Sequence, residues 1–252
     1  MSPPTTLLLL RHGETEANAA GILQGQSESD LTARGRRQAQ LLGAALRPRI
    51  DRVRETLAPL IYSSDLRRAV DTAQAVADGV GGESTSLTLK CDERLRERRL
   101  GPFQGIPPSE CARLFPRAWA AFNRGELDRA DGRSSTALDP GADGGGGVET
   151  TDSMRARCVA ALDEIASSHP PGSTILLVSH GGLVFTAVVA CSPSDGPGAP
   201  IAHIGNCSVT TLQRADGVWR VESVGEVIAR EEGEAVRSDA RNVDLAQASK
   251  RT

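Results

Sequence analysis

Three clusters of polar residues in this chain each follow a short apolar run. RHG at 11–13 follows TTLLLL, SSDLRR at 63–68 follows PLIY, and SHGG at 179–182 follows TILLV. Short, continuous apolar runs are typical of buried parallel strands, and open α/β sheets present their chemistry at the carboxyl ends of such strands. The pattern therefore predicts that the three clusters meet at one edge of a sheet.

The residue types in these clusters suit the handling of phosphate. Arg11 and Arg68 supply fixed positive charge and forked donors that fit phosphate oxygens. A neutral imidazole is a nucleophile that forms covalent intermediates in group transfer, and His12 and His180 are each followed by glycine. Glycine beside the nucleophile lets the backbone approach a tetrahedral anion closely. These four side chains predict a phosphoryl site that needs no metal ion and no other cofactor.

Strands and helices alternate along the sequence. Apolar residues at helical spacing follow the first two apolar runs, and Thr32 is the predicted N-cap of the first of these helices. Further strands are predicted at residues 86–90 and in CSVTTLQ and VWRVESVGEV. Alternation of this kind favours an α/β fold, a three-layer α/β/α arrangement with a mostly parallel central sheet.

The rest of the chain divides into helical and irregular segments. Residues 109–125 are predicted to be helical, with Pro116 as a kink or as the division between two short helices. The Gly-rich stretch at 125–147 predicts a mobile surface loop. We expect one α/β domain over residues 1–229 and a charged tail over 230–252.

Composition excludes several classes of function. The 252 residues carry a net charge of −3 and only 3% aromatic side chains, so neither nucleic acid nor an anionic membrane is an expected partner. No two of the five cysteines form a CxxC pair, and the TTLLLL stretch lacks the basic leader of a signal peptide. We expect a cytoplasmic protein, although an organelle and a homodimer stay open.

Together the clusters resemble a known family. RHGETEAN, GILQGQSESDLTARGRRQA, YSSDLRRAVDTA, LRERRLGPFQG and VSHGG occur in this order between residue 6 and about residue 212. This arrangement resembles the histidine phosphatase superfamily, which includes the cofactor-dependent phosphoglycerate mutases and many small phosphatases. The resemblance implies a phosphoglycerate mutase-like fold and a small phosphorylated substrate.

The resemblance also implies roles for individual residues. His12 matches the nucleophile that carries a transient phosphohistidine, while Arg11, Arg68 and His180 match residues that hold the phosphoryl oxygens. Within LRR, Arg68 is the match because it directly precedes the alanine of R-A-x-x-T, and Arg67 is expected to be a solvated neighbour. On the phosphate and substrate side the matching residues are Asn18, Gln24, Gly25 and Gly181.

A proton donor is also required, because the leaving oxygen must be protonated and the attacking water deprotonated. Glu93, Glu97 and Glu110 all lie near one another in the sequence. Glu97 stands between Leu95 and Gly101 at the family's position for this acid. The resemblance therefore implies that Glu97 is this proton donor. The alternative is that Glu97 is a solvated loop glutamate among arginines.

Hydrolysis is favoured over phosphoryl transfer to a second substrate. GVET at 147–150 resembles the GES of the small phosphatases, and Glu16 stands where mutases of the family carry tryptophan. The alternatives are a mutase-type phosphotransferase and a non-catalytic phospholigand-binding module. An esterase is disfavoured, since the chain contains no GxSxG.

The substrate itself is left open. A second acidic group of a substrate and ordinary solvation are alternative explanations for the arginines at 98, 99, 113, 117 and 124.

Overall fold

The computed structural model describes residues 2–81, 87–124, 147–192 and 204–229. Within these ranges one sheet contains six strands: β1 (Thr5–Arg11), β2 (Leu57–Ser63), β3 (Thr88–Cys91), β4 (Thr174–Ser179), β5 (Val209–Ala215) and β6 (Val218–Glu226). Their order across the sheet is β3-β2-β4-β1-β5-β6.

The central part of the sheet is parallel. β4 pairs in parallel with both β1 and β2, and β3 pairs in parallel with β2. β5 and β6 add an antiparallel edge. The predicted mostly parallel sheet is confirmed, and the carboxyl ends of β1, β2 and β4 lie side by side.

Helices cover both faces of this sheet. Those in the described ranges are α1 (Glu16–Ala20), α2 (Ala33–Asp51), α3 (Arg67–Gly81), α4 (Pro108–Leu114), α5 (Pro116–Asn123), α6 (Thr151–Ser167) and α7 (Gly181–Cys191). Leu8 and Leu10 of β1 pack with buried residues of α2 and α3, whereas Leu7 and Leu9 pack with α6 and α7. Because side chains alternate between the faces of a strand, the leucine run is buried on both faces, and the three-layer α/β/α prediction is confirmed.

Helix boundaries follow the predicted signals. The Thr32 side chain accepts a hydrogen bond from the Gly35 backbone N–H and caps α2, as predicted. Pro116 begins α5 just after α4 ends at Leu114, so the proline divides two short helices. The helix α1 was not predicted, since the segment after the first strand read as a polar loop. Its five residues are too few to show a helical period.

Several predictions differ from the structure or fall outside its description. β1 extends one residue beyond the predicted strand, to Arg11, because the Arg11 backbone continues the pairing with β4. The predicted loop at 125–147, except for its last residue, and the predicted tail at 230–252 lie outside the described residues. In the part of the chain that is described, no helix combines the length and apolar character needed to cross a membrane.

Candidate active site

The two strand-end histidines lie against each other. The His12 backbone N–H donates to the carbonyl of Ser179 at 3.0 Å, which joins the end of β1 to the end of β4. The rings of His12 and His180 are 5.1 Å apart between centroids, at an interplanar angle of 61°. Both residues are buried. The structure therefore brings the two predicted histidines into one site.

Hydrogen bonding decides which nitrogen of His12 carries the proton. Nδ1 lies 2.8 Å from the carbonyl oxygen of Gly13. A carbonyl can only accept, so Nδ1 is the donor and Nε2 of the neutral ring keeps its lone pair. Burial, followed by the charges of Arg68 and Arg11, lowers the pKa of His12 well below its ordinary value. The ring is therefore neutral near pH 7, with Nε2 available as a nucleophile.

The peptide unit between Gly13 and Glu14, whose carbonyl accepts the bond from His12, also donates a hydrogen bond. The Glu14 N–H, on the same peptide as the Gly13 carbonyl, donates to Oε1 of Gln38 at 3.0 Å. The Gly13 N–H donates to the Thr72 hydroxyl at 3.1 Å. Gln38 was not predicted as a site residue.

Close backbone contact requires two of the glycines here. A Cβ on Gly13 would lie 2.5 Å from the carbonyl oxygen of Gly35, and a Cβ on Gly35 would overlap the carbonyl oxygen of Glu14. Separations this short are not tolerated between non-bonded atoms. The first turn of α2 can therefore lie directly against the RHG segment only because both residues lack a side chain.

His180 has the opposite tautomer. Its Nδ1 accepts from Nε–H of Arg68 at 3.2 Å, so the proton of the neutral ring lies on Nε2. Among the described residues this buried Nε2 has no hydrogen-bond partner. Burial, then the charge of the Arg68 guanidinium, lowers the pKa of His180 well below its ordinary value. Beside His12 there is thus a buried N–H donor that has no acceptor in the described ranges.

Arg68 is buried and tied to the neighbouring loop. Besides its bond to His180, it donates to the carbonyls of Ser27 at 2.8 Å and Gly25 at 2.7 Å. Burial lowers its pKa to about 10, against the opposing charge of Glu97, so Arg68 stays charged at neutral pH. Two of its five N–H groups are not used in these bonds.

The neighbouring arginines differ in their surroundings. Arg67 has a side chain that is 66% exposed, as expected of a solvated neighbour. Arg11 donates to the carbonyl of Ile204 at 2.6 Å. The predicted residue Gly181 lies against Arg11, since a Cβ there would be 3.3 Å from Arg11 Nε.

The carboxylate of Glu97 lies at the start of α7. Its Oε2 accepts from the backbone N–H of Gly182 at 2.9 Å, and its Oε1 accepts from the N–H of Arg98 at 2.7 Å. A Cβ on Gly182 would overlap Oε1 of Glu97. Gly182 was not among the predicted site residues, although it is the second glycine of SHGG. The carboxylate of Glu97 therefore lies at the SHGG turn, two residues from His180 in the chain.

The predicted substrate-side residues surround the same edge. Asn18 lies in α1, where it completes a capping box with Thr15. Gly25 has φ +51°, and its carbonyl accepts from Arg68 as described. The side-chain oxygen of Gln24 is buried without a hydrogen-bond partner in the described part of the chain.

Asn206, which also lies near the nucleophile, was not predicted from the sequence. Asn206 donates from Nδ2 to the backbone carbonyl of His12 at 2.9 Å, and the same Nδ2 lies 3.4 Å from Oδ1 of Asn18. It lies in a turn before β5, where Cys207 has φ +54°. No spacing or period marks such a residue, because its contacts reach nearly two hundred positions back along the chain.

The arginines considered for a second acidic group are partly engaged within the protein. Arg98 lies over the Phe122 ring, 5.1 Å from its centroid, and Arg99 donates to the carbonyl of Gly147 at 2.9 Å. Arg113 pairs with Glu110 at 2.7 Å on the surface. These contacts favour a structural explanation for Arg98, Arg99 and Arg113.

No group of three or more histidine, cysteine, aspartate or glutamate side chains among the described residues is placed to hold a metal ion. Metal independence itself stays a prediction. A three-layer α/β fold with two imidazoles and two guanidinium groups at the carboxyl edge of its parallel strands is what we expect of a phosphoryl-transfer enzyme.

Comparison with known proteins identifies the family. Residues 7–227 match the model of the histidine phosphatase superfamily, branch 1. The chain is 34% identical over 227 residues to phosphoglycerate mutase-like protein 4 of Arabidopsis thaliana, covering 90% of this chain and 87% of the relative. It is 33% identical over 231 residues to the metal-independent phosphoserine phosphatase of the same plant, covering 90% and 83%.

A solved structure agrees with this result. YhfR of Bacillus stearothermophilus superposes with a TM-score of 0.69 at 30% identity, over 88% of this chain and 98% of the other. The chain therefore belongs to the histidine phosphatase superfamily. The predictions of a phosphoglycerate mutase-like fold and of a phosphoric monoester hydrolase are confirmed.

Proposed function

We propose that the protein hydrolyses a small-molecule phosphate monoester, without a metal ion, through a phosphohistidine formed on Nε2 of His12. The observation that carries the proposal is the pair of opposite tautomers. The carbonyl of Gly13 holds the His12 proton on Nδ1, and Arg68 holds the His180 proton on Nε2. A nucleophilic lone pair therefore lies beside a buried N–H donor that suits a phosphoryl oxygen.

In the first step the lone pair of His12 Nε2 forms a bond to phosphorus, while the bond from phosphorus to the ester oxygen breaks. Glu97, protonated at the start of this step, gives its proton to that oxygen, which leaves as an alcohol, and becomes the carboxylate that acts in the second step. His180 Nε2–H, Arg11 and the remaining donors of Arg68 stabilise the negative charge on the phosphoryl oxygens. Such positioning and electrostatic stabilisation carry most of the rate in phosphoryl transfer.

In the second step water attacks the phosphorus of phosphohistidine, and the carboxylate of Glu97 accepts its proton. The bond from nitrogen to phosphorus breaks, phosphate leaves, and His12 regains its lone pair. Asn18, Gln24, Gly25 and Gly181 line the phosphate and substrate side in this proposal.

The main alternative is a mutase-type phosphotransferase, which shares the first step but passes the phosphoryl group to a second substrate. One of the two plant relatives is named a phosphatase and the other a mutase-like protein. Glu16 in place of tryptophan and the GVET segment favour hydrolysis. A non-catalytic phospholigand-binding module is disfavoured, because His12, Arg11, Arg68 and His180 are all present and adjacent.

The names of the two plant relatives mention phosphoserine and phosphoglycerate, compounds that carry a carboxylate beside the phosphate. We therefore propose small phosphorylated carboxylic acids as the first substrates to screen. Sugar phosphates serve as the comparison set, since they lack the carboxylate.

The test is turnover of p-nitrophenyl phosphate in the presence of EDTA by wild type, His12→Ala and His169→Ala. His169 lies outside the site, against Tyr62, and this variant controls for the loss of any histidine. We expect activity in wild type and His169→Ala and none in His12→Ala. Equal activity in His12→Ala would contradict the proposal. No turnover by folded wild type, with transfer from a bisphosphorylated donor to a second substrate, would favour the mutase.

A further inference from the structure

One arginine outside the predicted site uses every donor it has within the protein. Arg157 of α6 forms two bonds to the Glu149 carboxylate, Nε to Oε1 at 2.6 Å and a terminal nitrogen to Oε2 at 2.8 Å. Its other bonds reach the carbonyls of Arg94 at 2.8 Å, Arg96 at 2.7 Å and Glu97 at 3.1 Å. A guanidinium has five N–H groups, so none remains for a phosphate oxygen.

Glu149, which pairs with Arg157, also binds Arg98 and Arg99, the two residues that follow Glu97 in the chain. Its Oε2 also accepts from the Arg99 N–H at 3.2 Å, its carbonyl accepts from Arg98 Nε at 2.7 Å, and its own N–H donates to the Arg99 carbonyl at 2.9 Å. Burial opposes the charged carboxylate, but the bonds and charge of Arg157 outweigh it and hold the Glu149 pKa below its ordinary value. The two side chains form a largely buried ion pair.

This pair lies behind the loop that carries the proposed acid. Residues 96–100 lie between two short 3₁₀ turns and belong to no helix or strand, so no ladder of backbone bonds fixes them. The backbone of Glu97 is held instead by Arg157 and by the side chain of Gln26 at 3.0 Å. Its carboxylate is held on the other side by the N–H of Gly182.

We propose that the Arg157–Glu149 ion pair positions Glu97 for proton transfer to the leaving group and from the attacking water. The inference rests on the proposed function, in which Glu97 is that acid and base. Arg157 is a positioning residue, since it touches the loop and not the substrate. Loss of the pair releases the carbonyls of Arg94, Arg96 and Glu97 and displaces the carboxylate, while the histidines and the phosphoryl-binding arginines keep their contacts.

The dependence of the rate on the leaving group distinguishes a displaced general acid from a general loss of folded enzyme. p-Nitrophenolate leaves readily without a proton, whereas phenolate depends more strongly on protonation of its oxygen. A displaced general acid therefore slows phenyl phosphate more than p-nitrophenyl phosphate. A smaller fraction of folded enzyme would instead slow both esters by the same factor.

The experiment measures kcat/KM, which reports the phosphorylation of His12 and not the hydrolysis of the common intermediate, for both esters in wild type, Arg157→Met, Arg157→Lys, Glu97→Gln and Arg155→Met. Arg155 lies on the same helix, with a side chain that is 59% exposed, and pairs only loosely with Asp152 at 3.7 Å, so its variant is the matched control. Arg157→Lys keeps the charge but not the five-donor fork, and it serves if Arg157→Met fails to fold.

We expect the Arg157 variants to lose on the order of tenfold more kcat/KM on phenyl phosphate than on p-nitrophenyl phosphate, and Glu97→Gln to show a difference in the same direction. Arg155→Met should match wild type. Equal losses on both esters in the Arg157 variants, beside unequal losses in Glu97→Gln, would overturn this inference alone. Equal losses in Glu97→Gln would overturn the assignment of Glu97, and with it both proposals about the acid.

Discussion

Acidification should destabilise the fold through the two buried imidazoles. Burial and the nearby guanidinium groups lower the pKa of His12 and of His180 well below 6.5 in the folded protein. The unfolded chain binds both protons as pH falls through about 6.5, while the folded protein does not. Stability contributed by these rings is therefore present above pH 6.5 and is lost as the pH falls below it.

The size of the effect follows from this linkage. Between about pH 7.5 and about pH 5.5 each ring that stays neutral in the folded state lowers the free energy of unfolding by about 1.4 kcal/mol, and the pair lowers it by about 2–3 kcal/mol. Carboxyl groups with lowered pKa values, such as those of Asp65 and Asp92, titrate below this interval. Their contribution should not obscure that of the histidines.

The assay is urea unfolding at both pH values in wild type and in the double variant His12→Asn, His180→Asn. The asparagine amide occupies the place of Nδ1 and can keep the bonds to Gly13 and Arg68. Val76→Ala, a change in the buried face of α3, controls for general loss of stability. We expect the acid-induced loss to shrink by about 2–3 kcal/mol in the double variant only. An unchanged loss would refute the reasoning.

Two further changes test the hydrogen bonds that hold the proposed nucleophile and acid. Gly182→Ala places a methyl group on the Glu97 carboxylate and should lower kcat for phenyl phosphate on the order of tenfold to a hundredfold. Gln38→Leu removes the acceptor for the Glu14 N–H; it should mix the His12 tautomers in ¹⁵N NMR spectra and lower kcat on the order of tenfold.

Each of these changes has a matched control. Among the described residues, no atom lies within 4 Å of a Cβ placed on Gly81, at the end of α3, so Gly81→Ala should keep full activity where Gly182→Ala does not. Gln38→Glu keeps an oxygen acceptor and should restore the single tautomer. Full activity in Gly182→Ala, or an unchanged His12 spectrum in Gln38→Leu, would show that these contacts do not govern the site.

The strand framework could be predicted because its determinants are local. The leucines of β1 are continuous and apolar, and the residues that interrupt them, Arg11 and His12, lie where a parallel strand must end. The same reasoning placed His180 after β4 and Arg68 at the start of α3. Arg11, His12 and His180 thus follow from strand ends alone, since parallel neighbours bring their carboxyl ends together, whereas the family resemblance was needed to choose Arg68 over Arg67.

The supporting contacts could not be predicted in this way. Arg157 reaches back about sixty positions to the carbonyls of the Glu97 loop, and Asn206 reaches back 194 positions to His12. Bonds from side chains to backbone groups leave no period in the sequence, and they depend on how two separate loops come together. Family resemblance pointed to Glu97, but not to the ion pair that holds its loop.

The most direct test of the central claim is to trap the phosphorylated enzyme. Wild type and His12→Ala are mixed with p-nitrophenyl phosphate in EDTA and quenched in alkali, where phosphohistidine survives, and the peptides are analysed by mass spectrometry. We predict one phosphoryl group on His12 in wild type and none in the variant. Full turnover by wild type with the phosphoryl group on another residue, or undiminished turnover by His12→Ala, would contradict the account.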